Sequence, residues 1–249
     1  LARRGAPSVR PWLSVMSGAP EHSGTLLDKA FTTLGHDVAR VTSPSGMTPA
    51  DTRSRADTGY NPAVSVEALV ARLGHAPDLF LWVEPLGLIP LGLDRAPFPT
   101  ACYLHDPHIH LPSRVLFARF FDEVFLAQRD YVDAFRRRGI RAVHWLPVAC
   151  DPHVHRDPGG ARPYDVGFVG SLTNSAERAR LVRTLASRFT LNEQRFYSTE
   201  ELAAVYGASK IVANWTVNGD LTLRVFEAIA CGALLVAQDV GNGQEQLFK

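Results

Sequence analysis

The stretch Asp220-Leu-Thr-Leu-Arg224-Val-Phe-Glu227-Ala-Ile-Ala-Cys-Gly232-Ala-Leu-Leu-Val-Ala-Gln238 decides how the rest of the chain is read. Behind the turn Asn218-Gly219-Asp220 it reads as a helix with Asp220 as N-cap, closing at Gly232 and feeding a short buried strand, Leu234 to Ala237. On that helix Leu223, Phe226 and Ala230 fall on one face. Asp220, Arg224 and Glu227 fall on another, so a carboxylate and a guanidinium share a polar stripe beside a helix N-terminus. The amides at Asp220, Leu221 and Thr222, with the positive end of the helix dipole, suit an anion such as a diphosphate. An ionised Glu227 one or two turns along can accept hydrogen bonds from a ribose diol. The competing reading is an ordinary amphipathic helix whose Arg and Glu form a surface pair.

Composition sets the outer bounds. At 249 residues and 46% hydrophobic content the chain can build two α/β lobes or one large domain. A formal net charge of +1 leaves no electrostatic footprint for nucleic acid or an anionic membrane. Cys102, Cys150 and Cys231 lie far apart in apolar segments without a C-x-x-C pair, which predicts a reduced, cytoplasmic setting. No apolar run approaches a membrane span, and the Leu1-Ala-Arg-Arg start lacks the hydrophobic region of a signal peptide. The chain opens with Leu and stops at Glu245-Gln-Leu-Phe-Lys249, in what reads as the start of another helix, so a C-terminally truncated fragment is expected.

Apolar β-rich runs alternate with helical patterns, which predicts parallel sheets with crossover helices. The first lobe, 1–150, has strands at Trp12 to Met16, Gly35 to Val41, Asp78 to Glu84, Thr100 to His105, Glu123 to Ala127 and Val143 to Val148. Helical patterns cover Thr25 to Leu34, Val64 to Leu73 and Asp130 to Arg138, and Thr42 to Pro62 reads as a long polar loop. The segment Asp151 to Pro163, rich in Pro and Gly, is the natural hinge. The second lobe, 151–249, restarts with Tyr164-Asp-Val-Gly-Phe-Val-Gly-Ser171, then helices over Ala176 to Arg188 and Glu200 to Ala208, and the strand Lys210 to Trp215.

This order resembles the GT-B glycosyltransferases, especially the retaining family-four group and the CgeB-like spore-maturation proteins, in which an "R-x-F-E-A-x-A-C-G" segment leads into a strand. The Gly loop after strand one, "L-G-H-D-V", "G-I-R-A-V-H-W-L-P-V-A-C-D-P", "Y-D-V-G-F-V-G-S" and "S-K-I-V-A-N-W" carry the likeness along nearly the whole chain. The resemblance implies two Rossmann-like lobes, the second incomplete, with the active site in the cleft between them. It also implies donor contacts from Gly18, Gly170, Ser171, Asp220, Leu221, Thr222, Arg224 and Glu227, and no cofactor besides the nucleoside-diphosphate sugar that serves as donor substrate.

Two positions depart from the family pattern. Its first acidic residue falls eight positions before the match to Glu227, where this chain has Gly219, and Asp220 substitutes only if the loop is shifted. The family's Arg and Lys that clamp the diphosphate are replaced at equal spacing by Ser171 and Ala176. Arg178 or Arg180 on the following helix can supply the charge, Arg178 being preferred, since a guanidinium binds a diphosphate as well as Lys does.

Paired segments, His105-Asp106-Pro-His108-Ile-His110 and Asp151-Pro-His153-Val-His155, invite a metal reading. The resemblance implies metal-independent chemistry, and no Cys or Glu completes a ligand set nearby. At the end of strand four, His105 and Asp106 match the family's "H-D" and are the candidate catalytic residues, meeting the transferred sugar or orienting the acceptor hydroxyl. A plain strand-end cap is the alternative. Arg136-Arg-Arg138 before Gly139 is what a helix C-terminus prefers, so no nucleic-acid partner is expected. No G-x-G-x-x-G follows a strand, and neither a G-x-S-x-G elbow nor a P-loop is present, which weakens oxidoreductase, hydrolase and kinase readings.

The expected activity is therefore transfer of a hexosyl-type unit from a nucleoside-diphosphate sugar to a glycan, lipid or protein hydroxyl, with retention. An epimerase acting on a nucleotide sugar and a catalytically silent binding scaffold of the same fold are the alternatives. Consumption of donor, and its dependence on an acceptor, separates the three.

Overall fold

The structure, a computed structural model, describes residues 8–15, 23–42, 65–84 and 90–248. Its chain divides into two compact units, Leu1–Leu146 and Pro147–Lys249. Each is built on its own parallel sheet.

In the first unit, β1 (Pro11–Val15), β2 (Ala39–Thr42), β3 (Leu79–Val83), β4 (Thr100–Leu104), β5 (Glu123–Leu126) and β6 (Val143–Trp145) form a six-stranded sheet in the order β2-β1-β3-β4-β5-β6. Every pairing is parallel. The helices are α1 (Ser23–Thr33), α2 (Val66–Leu73), α3 (Leu111–Ala118) and α4 (Val132–Arg137). All five residues of β4 are buried, as continuous apolar strands of parallel sheets are. The core gathers Leu69, Phe80, Trp82, Leu104, Leu126 and Phe135. Chain order reverses between β1 and β3, so the carboxyl ends of β1 and β3 flank a topological switch point, where open α/β sheets bind ligands.

Local chemistry explains the elements. Ser65 caps α2 by accepting from the Ala68 amide, and Gly74, at φ 77°, ends it in the left-handed conformation that a side chain resists. Helix α3 is absent from the sequence expectation. Its signal was Pro112 in the first turn followed by apolar Val115 and Ala118, both buried. At the end of α4, Arg138 donates to the Ala134 carbonyl and Arg136 contacts Asp133 and the Val143 carbonyl, so these arginines serve the helix terminus.

The second unit pairs β7 (Tyr164–Gly167), β8 (Ser209–Asn214) and β9 (Leu234–Ala237) in parallel, in that order, with α5 (Ala176–Ala186), α6 (Thr199–Gly207), α7 (Leu223–Ala230) and α8 (Gln244–Leu247). Helix α6 opens with a capping box: Ser198 accepts from the Glu201 amide while Glu201 accepts from the Ser198 amide. Tyr206, Val212, Ala228 and Cys231 form the core. Two expectations are corrected here. Helix α7 begins at Leu223 with Thr222 as N-cap, so Asp220 stands in the preceding loop and caps nothing. Strand β9 is the edge of its sheet, and Leu234 and Val236 stay exposed at 63% and 55%, where a buried strand was expected. Gly167, closing β7, is required by packing: a Cβ there would lie 2.3 Å from Ser209 Oγ.

Within the expected hinge segment, Val154 packs against the second core and His155 is buried, while Pro152 and His153 are exposed.

Candidate functional site

Two polar clusters form, one in each unit, and both lie where parallel strands end. In the first unit Glu84 directly follows β3 in the left-handed conformation, φ 49°, and is buried. Its Oε1 accepts from the backbone amides of His105 and Asp106, the latter at 3.0 Å, immediately after β4. Its Oε2 lies 2.9 Å from Arg114 Nη2, and both side chains are almost wholly buried. The carboxylate thus fixes the backbone on which the two candidate catalytic residues sit. The His105 ring stands edge-on to Tyr103 at 4.4 Å, and the Gln128 amide donates to the His105 carbonyl at 3.4 Å. Neither Glu84 nor Arg114 was singled out from the sequence. A carboxylate closing the apolar run Leu79-Phe-Leu-Trp-Val83 was the available signal.

His108 stacks loosely on Tyr131 with its Nε2 buried and unpartnered, and His110 stands at the N-cap of α3 with φ 54°. His153 and His155 belong to the second unit. Among the described residues no group of three or more His, Cys, Asp or Glu side chains is placed to hold a metal ion.

The second cluster brings together most of the residues expected to meet the donor. Gly170 and Ser171 lie just beyond β7, and the loop 215–222 runs from β8 to α7. That loop is tied from several sides. Arg178 donates to the Trp215 carbonyl through Nε at 3.0 Å and Nη2 at 2.7 Å, and to the Ser171 carbonyl through Nη1 at 3.0 Å. Gln238 accepts from the Thr216 amide at 2.7 Å, and Asn242 donates to the Gly219 carbonyl at 3.1 Å. Burial first, and neighbouring Arg224 second, draw the Arg178 guanidinium below its ordinary pKa, while Asp220 acts in the opposite direction. Arg178 therefore holds the loop walls, whereas the Arg224 guanidinium keeps one nitrogen open.

Arg224 Nη1 is buried without a hydrogen-bond partner, a costly state for a cation unless something is to be received there. It lies against Gly170, where an added Cβ would sit 3.3 Å from it. Thr222, as N-cap, makes no side-chain bond to the helix amides; its hydroxyl reaches Asn214 Oδ1 at 3.5 Å. Gly219 has φ 67°, a left-handed position that most side chains resist. Leu221 is buried as an apolar anchor at 1% exposure.

Glu227 departs from the expected polar stripe. It faces inward with Val225 and Ala228, and burial pushes its carboxyl up to about 7 against the opposing pull of Arg224. His155 Nε2 stands 3.7 Å from Glu227 Oε1. Gly18 lies outside the described residues.

Residues 167–249 match the family model described as glycosyl transferase-like. No curated protein matches the sequence. Among solved structures, an α-glucosyltransferase bound to UDP and a 13-mer DNA aligns at TM-score 0.62 and 13% identity, over 93% of this chain and 80% of that one. A sucrose-phosphate synthase from Thermosynechococcus elongatus aligns at TM-score 0.56 and 13% identity, over 96% and 83%. Anabaena HepE in complex with UDP and glucose aligns at TM-score 0.56 and 16% identity, over 95% and 82%. The chain thus has the α/β, parallel-sheet fold of GT-B glycosyltransferases and carries a glycosyl transferase-like domain that takes in β8, α7 and β9.

Proposed function

We propose that the chain transfers a hexosyl unit from a nucleoside-diphosphate sugar to an acceptor hydroxyl, with retention at the anomeric carbon and without a metal cofactor. The observation that carries this reading is Arg224, whose buried, unpartnered Nη1 lies against Gly170 beside the amino end of α7. A diphosphate offers that atom an anionic oxygen. As the bond from the anomeric carbon to the diphosphate oxygen breaks, Arg224 and the loop amides at Asp220 to Thr222 stabilise the charge that gathers on the leaving group. Glu227 accepts from the ribose hydroxyls, and His105 and Asp106 meet the sugar or the acceptor. Three unpaired thiols support a reducing, cytoplasmic setting.

The acceptor is a glycan, lipid or protein hydroxyl in this reading. One α-glucosyltransferase of the same fold is bound to DNA, so a DNA acceptor belongs in the test panel. Gly219 favours a second reading, a scaffold that binds donor without turning it over, because it removes one carboxylate from the donor loop. The test is thermal stabilisation by UDP, ADP, GDP and dTDP sugars, followed by sugar release and transfer with each acceptor class. Stabilisation with transfer supports the enzyme, stabilisation without donor consumption supports the scaffold, and no stabilisation by any nucleotide overturns both.

A further inference from the structure

His155, the last residue of the second D-P-H-x-H segment, is 3% exposed and stands in contact with Glu227, although the sequence assigns it no part in donor binding. Its Nδ1 lies 3.1 Å from the Asp151 carbonyl oxygen. A carbonyl oxygen only accepts, so Nδ1 carries the hydrogen in either charge state. Nε2 then faces Glu227 Oε1 at 3.7 Å either as a lone pair or as an N–H. A bare lone pair facing a buried carboxylate is repulsive, so the pair is stable when it holds one proton, on the carboxyl oxygen or on the imidazole.

We propose that His155 is a positioning residue of the donor site: it takes the proton of the His155–Glu227 pair, so that Glu227 meets the ribose diol as a carboxylate. The inference rests on the donor reading of Glu227. The step is a single transfer, from the Glu227 carboxyl oxygen to His155 Nε2, and no other bond changes.

The neighbours leave this exchange to His155. Arg224, one turn earlier on α7, offers only N–H donors and no acceptor for the proton. Burial raises the Tyr206 hydroxyl of α6 and the Cys150 thiol, and pushes the Cys231 thiol up to about 11, so none of the three gives up a proton near neutrality. The Asp151 carboxylate accepts from the His153 amide, and the Arg162 guanidinium donates to the Cys231 carbonyl and pairs with Asp157. Without a cation at His155, burial leaves Glu227 at about 7, half protonated and half unable to accept both hydroxyls at physiological pH.

The test uses whichever of the ribonucleotides UDP, ADP and GDP stabilises the 249-residue chain most, titrated by calorimetry between about pH 6 and pH 8.5 against the unsubstituted chain, His155→Gln and Glu227→Gln. Unsubstituted chain is expected to hold its affinity down to about pH 6.5, whereas His155→Gln matches it at pH 8.5 and loses about tenfold per pH unit below 7. Equal pH profiles overturn the inference, because a merely structural histidine lowers affinity alike at every pH. Should His155→Gln fail to fold, nitrogen-15 spectra of the unsubstituted chain decide: an imidazolium at His155 in the nucleotide complex at pH 7.5 supports the inference, and a neutral ring overturns it. Glu227→Gln with unchanged affinity at every pH sinks the donor reading of Glu227 and the inference with it. Absence of binding by all three ribonucleotides does the same.

Discussion

Glu84, just after β3, and Glu227, on α7, are both buried carboxylates, yet their surroundings are opposite. Glu84 receives two backbone amides on one oxygen and a buried arginine on the other. Glu227 has one histidine at 3.7 Å and an arginine whose Nη1 is still unpartnered, and burial lifts its carboxyl to about 7. A fully met carboxylate fixes backbone, and a partly met one keeps bonding capacity for a ligand. The difference assigns Glu84 to the architecture around His105 and Asp106, and leaves Glu227 free for the recognition role proposed for it.

The largest effect expected is from Glu84→Ala, which leaves Arg114 buried without its partner and removes the acceptor for two amides. Stability should fall by about 3–5 kcal/mol in denaturant titration. A loss below about 1 kcal/mol, the range of exposed pairs, would break the contrast.

Glu227→Gln should act in the opposite direction. The folded carboxyl is raised from its ordinary 4.5 to about 7, so the folded state binds the proton more tightly than the unfolded chain. Its contribution is therefore fully present below pH 4.5 and is lost as pH rises toward 7, after which the unfavourable buried charge is constant. The glutamine removes that loss, raising stability above pH 7 by up to about 3 kcal/mol, less whatever His155 returns, and leaving it unchanged near pH 4. Melting curves across pH check the sign. A variant destabilised at pH 8 would place Glu227 with Glu84, as scaffolding.

Arg224→Gln sharpens the comparison from the cation's side. Diphosphate affinity should fall by about 1.5–3 kcal/mol, roughly ten- to a hundredfold, with little change in melting temperature because the lost cation was incompletely bonded. Equal losses in affinity and stability would show that Arg224 holds the fold together as Arg114 does. The smallest effect belongs to Gly219→Ala, which forces a side chain into φ 67° and should destabilise the chain by about 1–2 kcal/mol without shifting the pH dependence of nucleotide binding.

Strand and helix succession was legible because each element carries its own period or cap. Apolar runs such as Leu79-Phe-Leu-Trp-Val83 mark parallel strands, and Gly139 and Gly232 mark helix ends. The resemblance located Arg224 and Glu227 correctly on one helix. The spacing of the residues misplaced the polar stripe, because periodicity does not say which face of a helix packs inward, and in α7 that face carries Glu227 beside Val225 and Ala228. Helix α3 was missed since its start is marked by Pro112 amid histidines, with no Ser, Thr, Asp or Asn at the cap.

What the sequence determined by itself was the alternating α/β order and the parallel sheets, since those follow from neighbours along the chain. Tertiary structure alone decided which charges meet. Glu84 finds Arg114, Arg178 finds the Trp215 carbonyl, and Glu227 finds His155 across segments far apart in sequence. Local propensity carries no term for such encounters. Whether a buried charge is satisfied or left open depends on desolvation and on partners that only the folded chain brings within reach.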